Sequence, residues 1–110
     1  MAASVGVARR VRLRLLVVPT AQRHIRSAAT WWVANRPAAR GLFHAELTQA
    51  FDLITLYPDI APVDPETGMP GIRRYLLSRV HYHLYYRHRS DLIEVVAVWN
   101  AMRGTPPNLG

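Results

Sequence analysis

Apolar and polar residues alternate at the start of this chain and then switch to a helical period. Val11, Leu13 and Leu15 alternate with Arg12 and Arg14, which predicts a strand over residues 11–18 with one wet face. Pro19-Thr20 stops it, with Thr20 as the expected cap of a following helix. Over residues 21–35 the apolar positions Ile25, Ala28, Ala29, Trp32 and Val33 recur at helical spacing, with Arg23, Arg26 and Thr30 between them. Asn35-Arg36-Pro37 breaks that helix, and Pro37 suits the first turn of a second one. Its stripe is Phe43, Leu47, Ala50, Phe51 and Ile54. The short break predicts an antiparallel helical hairpin.

The second half reads as strands. Residues 57–71 hold Pro58, Pro62, Pro65, Gly68, Pro70 and Gly71 and predict a loop. Strands are expected over 72–78, 79–88 and 92–99. In the middle one, Val80, Tyr82, Leu84 and Tyr86 share one face, and His81, His83, Tyr85 and Arg87 share the other. The last is almost wholly apolar, so it belongs at the centre of the sheet with cover on both sides. On that placement Trp99 is buried, and Trp99→Ala costs roughly 3–5 kcal/mol. Residues 1–10 and 101–110 read as tails, leaving one domain over 11–107. The expected fold is α+β: an N-terminal strand, a helical hairpin, then a three-stranded antiparallel meander. The first strand joins the meander in one sheet to avoid an unpaired ladder. The helices cover one face, and the other is open and lined by arginine, histidine and tyrosine.

Composition sharpens this picture. The chain has 110 residues, half of them hydrophobic, which suits one domain with a real core. Its net charge is +7, and all fourteen basic residues are arginine. Such a charge points to an acidic partner, either nucleic acid or protein. The absence of cysteine excludes disulfides, cysteine-ligated metal and thiol catalysis, and fits a reducing cytoplasm. No apolar run approaches the ~20 residues needed to span a bilayer, so no membrane role is expected. Eight arginines precede the first acid, Glu46. That start also matches an organelle transit peptide, but it runs straight into segments patterned as core.

Chemistry-bearing motifs are few. His81 and His83 would lie roughly 7 Å apart along one strand face, but no third metal ligand is near in sequence. No phosphate-binding Gly-rich loop, metalloprotease helix or nucleophile elbow is present, so no cofactor or metal is expected. Arg74, His83, Arg87 and Arg103 form the most interesting set. They could serve 2′-hydroxyl attack on RNA, which needs a base, an acid and cationic stabilisation, or simply bind. Arg23 and Arg26 on the first helix read as a solvated face or a docking surface. Trp31 lies at the edge of the helical stripe.

The PTAQRHI that follows the first strand, the NRPAARGLFHAEL that opens the second helix, LYPDI, GIRRYLLSRVHYHLYYRH and the terminal VVAVWNAMRG together resemble the ParE/RelE (plasmid stabilisation) family of toxins from bacterial type II toxin–antitoxin systems. The likeness runs from Val11 to about Pro107. It implies a toxin neutralised by a small acidic antitoxin. The target is DNA gyrase in ParE-like members; RelE-like members are ribosome-dependent mRNA endonucleases. The RelE-like enzymes use a basic cluster on the open sheet face and a C-terminal tyrosine. Arg74 matches one basic position, but Leu76 stands at a second, His83 replaces an arginine, Ala101 falls on a critical place near Arg103, and the PPNLG tail has no tyrosine. The departures favour the ParE-like reading, with binding rather than catalysis. Operator DNA is then a partner only through the antitoxin complex. The expected antitoxin surface is the seam marked by Arg23, Arg26, Trp31 and Phe43.

Overall fold

A computed structural model describes residues 11–109; the N-terminal tail expected over 1–10 lies outside them. Strand β1 (Arg14–Val17) leads into helix α1 (Pro19–Asn35), a 3-10 turn (Pro37–Ala39) and helix α2 (Leu42–Leu56). Strands β2 (Arg73–Leu77), β3 (Tyr82–Arg89) and β4 (Leu92–Asn100) follow. They make one four-stranded sheet in the order β1-β4-β3-β2. The α+β reading holds. The meander is antiparallel, but β1 runs parallel beside β4, from Arg14↔Leu92 to Val17↔Val95. The sheet is therefore mixed, and β4 is an interior strand, as its apolar composition requires.

Both helices pack on one face. Ala21, Ala28, Trp32, Phe43, Leu47, Ala50 and Ile54 meet Leu77, Tyr82, Leu84, Tyr86, Ile93, Val95 and Val98 in one buried cluster. Val33 departs from its expected place and is exposed, because Trp32 fills the adjoining position and donates its indole N–H to the Ala39 carbonyl at 2.8 Å. Thr20 is not the cap either. Helix α1 begins one residue earlier with Pro19 at N1, where the missing N–H costs nothing. Thr20 Oγ1 accepts a bond from Arg23 instead. The first strand is shorter than expected, and Val11 and Leu15 are exposed. At an outer edge, an alternating segment has only one neighbour to cover it.

The opposite sheet face is not open. Ile72, Tyr85, Val96 and Ala97 form a second small core there, covered by Met69, Trp99 and Leu109. The register shifts at Tyr85/Tyr86, where Tyr85 pairs Ala97 and Tyr86 pairs Val95. Val96 is the extra residue of this bulge, so Val96 and Ala97 both face the second core. The expected C-terminal tail is thus a docked segment. Trp99 donates its indole N–H to the Thr105 carbonyl at 2.9 Å, and Pro107 is buried. Trp99 itself is only half-buried, so its truncation removes less packing than the fully buried placement implied.

Two neighbouring arginines rivet the proline loop to β2. Arg73 donates to the Ala61 carbonyl at 2.6 Å and pairs Asp59 at 3.3 Å. Arg74 lies 3.3 Å from Asp64, whose side chain has no exposure, and 3.4 Å from Glu66. Asp64 Oδ2 accepts from the Glu66 and Thr67 amides, while Oδ1 faces Arg74 without hydrogen-bond alignment and is held by charge alone. Removing the guanidinium would strand a buried carboxylate. Arg74→Ala should therefore cost about 2–4 kcal/mol, somewhat below a wholly buried pair because Arg74 keeps a wet edge. Arg26→Ala should stay within about 0.5 kcal/mol. Urea denaturation of the two variants checks the contrast.

Candidate functional site

Two depressions meet at the C-terminal end of β4. The larger, about 480 Å³, is a groove between α1 and β4 lined by His24, Ser27, Ala28, Trp31, Tyr82, Val98, Trp99, Asn100 and Arg103. The smaller, about 160 Å³, lies on the second-core side and includes Arg74, His83, Tyr85, Ala101, Arg103 and Thr105. Trp99, Asn100 and Arg103 line both. Arg103 stacks over Trp99 with its guanidinium carbon 4.5 Å from the ring centroid, while His24 meets the same indole at 5.3 Å. Stacking of this kind holds a guanidinium in place while leaving its N–H groups available.

The sequence-derived set is only partly assembled. His83 and Arg103 share the smaller cleft with Arg74, but Arg74 is committed to Asp64 and Glu66. Arg87 lies outside it and binds Glu94 at 2.6 Å, with Arg89 at 3.7 Å. Burial pushes the His83 imidazole below its usual range, and Arg74 pushes the same way against the pull of Asp64 and Glu66. Burial likewise raises the neighbouring Tyr85 hydroxyl above its usual range. At neutral pH the cleft therefore holds a neutral imidazole beside an un-ionised phenol, and Arg103, a guanidinium that no carboxylate among the described residues pairs. His81 is not on the strand face. It occupies the β2–β3 turn at φ 61, exposed and apart from His83. Among the described residues no group of three histidine, aspartate or glutamate side chains could hold a metal ion.

The seam expected from sequence is closed at one end. Phe43 is 2 % exposed and makes an edge contact with Tyr82, 5.4 Å between centroids, so it belongs to the core and offers no surface to a partner. Trp31 is 44 % exposed, with Arg36 over its ring at 5.6 Å. Arg23 and Arg26 are exposed on α1, and among the described residues neither pairs with a carboxylate.

His24 was missed in the sequence. Its Nδ1 accepts the Val98 N–H at 3.3 Å across the groove, tying α1 to β4. Burial lowers its affinity for a proton, and Arg23 and Arg103 add to the effect. The spacing His24, Ala28, Trp31 on one helical face is the signal that could have found it.

A family model described as "ParE toxin of type II toxin-antitoxin system, parDE" matches residues 15–104. This chain belongs to the ParE toxin family. Among solved structures it is similar to a chain of the chromosomal ParDE toxin–antitoxin system from P. aeruginosa. That match has a TM-score of 0.67 and 13% identity, and covers 81% of this chain and 96% of that one. At this identity it establishes a shared ParE-type fold. No curated protein matches the sequence. In this ParE-family chain the smaller cleft brings together Arg74, His83 and Arg103 but not Arg87.

Both perturbed histidines carry a sign for stability. Their folded affinity for protons lies below the ordinary value of 6.5, so the unfolded chain binds more protons as the pH falls through that value. Stability should be level above about pH 6.5 and decline below it, ahead of any contribution from Asp91, which is lowered from 3.8. Urea unfolding from pH 8 to pH 5 checks this, and a His24→Gln, His83→Gln double variant should lose most of the slope in that window.

Proposed function

We propose that this chain is a ParE-like toxin that acts in the cytoplasm by binding DNA gyrase, and that a cognate acidic antitoxin neutralises it. The observation that carries the reading is the commitment of the sheet's arginines to internal carboxylates: Arg74 to Asp64 and Glu66, Arg87 to Glu94. Cleavage by 2′-hydroxyl attack needs a base, an acid and cations free to follow the phosphorane. Only His83 and Arg103 remain for those tasks, and Ala101 supplies none. A binding mechanism needs a surface and no such set. The rival RelE-like endonuclease keeps one support, the adjacency of His83 and Arg103 in the smaller cleft.

Antitoxin docking is supported by the exposed side of α1. Arg23 and Arg26 supply charge that no carboxylate among the described residues pairs, and Trp31 supplies apolar area. A disordered acidic segment would gain attraction from the former and burial from the latter. Operator DNA would be reached only by the toxin–antitoxin complex.

Two expected outcomes follow from these readings. In a DNA supercoiling assay the purified chain should inhibit gyrase, while in a ribosome assay it should leave A-site mRNA intact. Efficient cleavage abolished by His83→Ala would replace the gyrase reading with the endonuclease. For the antitoxin encoded beside it, stopped-flow mixing should show association slowed by salt and by Arg23→Ala with Arg26→Ala, with little change in dissociation. Trp31→Ala should instead speed dissociation. Association indifferent to salt and to both arginines would remove α1 from the docking surface.

A further inference from the structure

The groove between α1 and β4 has a chemistry that neither antitoxin docking nor gyrase binding requires. At about 480 Å³ it is large enough for a compact ligand. Its walls are flat rings, Trp31 and Trp99 with His24 against the latter. Three of its fixed polar groups present donors, beside the Ser27 and Tyr82 hydroxyls. His24 Nδ1 is taken by the Val98 N–H, so the neutral ring carries its proton on Nε2. Asn100 Oδ1 is taken by the Met102 N–H, which leaves the amide NH₂. Arg103 can only donate. No carboxylate lines the groove. A site of stacking surfaces and donors calls for a ligand with a π-face and many acceptors.

The cations around it say how large that ligand is. Arg23 and Arg103 lie close enough to bear on His24, and Arg36 covers the outer side of Trp31. Among the described residues no carboxylate pairs with any of the three. From Arg23 to Arg36 is about 20 Å at 1.5 Å per helical residue, more than one phosphate can touch. We propose that this groove is a binding site for single-stranded nucleic acid, holding one base against Trp31 while phosphates spaced along the strand contact Arg103, Arg23 and Arg36. Aromatic platforms inside a cationic track are the usual basis of such binding. The site lies on the helix-packed side of Trp99, sharing that indole, Asn100 and Arg103 with the adjoining His83 cleft, and it does not rest on the toxin reading.

The test is fluorescence anisotropy of labelled ten-residue oligothymidylate and oligouridylate with the purified full chain. Binding of at least one oligomer is expected, with a log affinity against log salt slope near −2, from three phosphate contacts at about −0.7 each. Arg103→Gln should flatten the slope by about 0.7. Trp31→Ala should weaken binding about tenfold, and Trp31→Phe should restore most of it. Circular dichroism confirms that each variant is folded, and Arg89→Gln, an exposed arginine at the β3–β4 turn, the opposite end of β4 from Trp99 and Asn100, serves as a variant that should leave binding unchanged. Three results would each overturn the proposal: no binding of either oligomer at low salt, thymidine monophosphate binding as tightly as the oligomer, or Trp31→Ala binding unchanged.

Discussion

Seven carboxylates have to serve an arginine-rich chain, and where each one is spent decides what the rest of the molecule can do. Glu46 receives the Arg79 and Val80 amides and caps the β2–β3 turn from α2. Asp52 holds Arg12, and Asp91 holds Arg14 through both of its oxygens. Asp59, Asp64 and Glu66 fix Arg73 and Arg74, and Glu94 takes Arg87 and Arg89. None is left on the outer side of α1. The surface charge that could attract a partner is thus found on the helix and near Arg103, while the sheet's cations are structural. Exposed pairs of this kind add little stability individually; their effect is to distribute potential. The buried Asp64 is the exception, because its charge cannot be left alone.

Trp99 divides the working end of the molecule. It closes the second core, bonds the C-terminal segment, supports Arg103 and His24, and forms a wall of both depressions. A ligand in one depression therefore meets the same indole and guanidinium as a ligand in the other. The two candidate sites are physically coupled through a single side chain, without any need for a long pathway.

The helical stripes were legible because a 3.6-residue period survives any choice of partner: Ala28, Trp32, Phe43, Leu47 and Ile54 are all buried. The β3 alternation was legible for the same reason, with Tyr82, Leu84 and Tyr86 inward. Cover on the far face was not. It comes from Met69 and Leu109, isolated apolar residues in segments that lack any period. The Val96 bulge was hidden because an all-apolar strand shows no break in alternation when a residue is inserted. The site suffered most. Proximity of Arg74 to Asp64, or of His24 to Val98, depends on tertiary closure that spacing does not encode. Phe43 was misplaced because a residue on an apolar stripe looks the same from sequence whether it faces the core or a partner.

The parallel pairing of β1 with β4 has a consequence for the order in which the molecule is made. Arg14 and Asp91 stand 77 residues apart, so β1 has no strand to pair with until β4 has been made. Ile93, Val95 and Val98 arrive with that same strand to complete the floor beneath both helices. The hairpin formed early must then keep Trp32, Leu47 and Ile54 without their native cover during synthesis. Contacts of such long sequence separation are slow to form. A nascent chain that lacks β4 therefore lacks Trp99 and Asn100, the strand residues that wall both depressions.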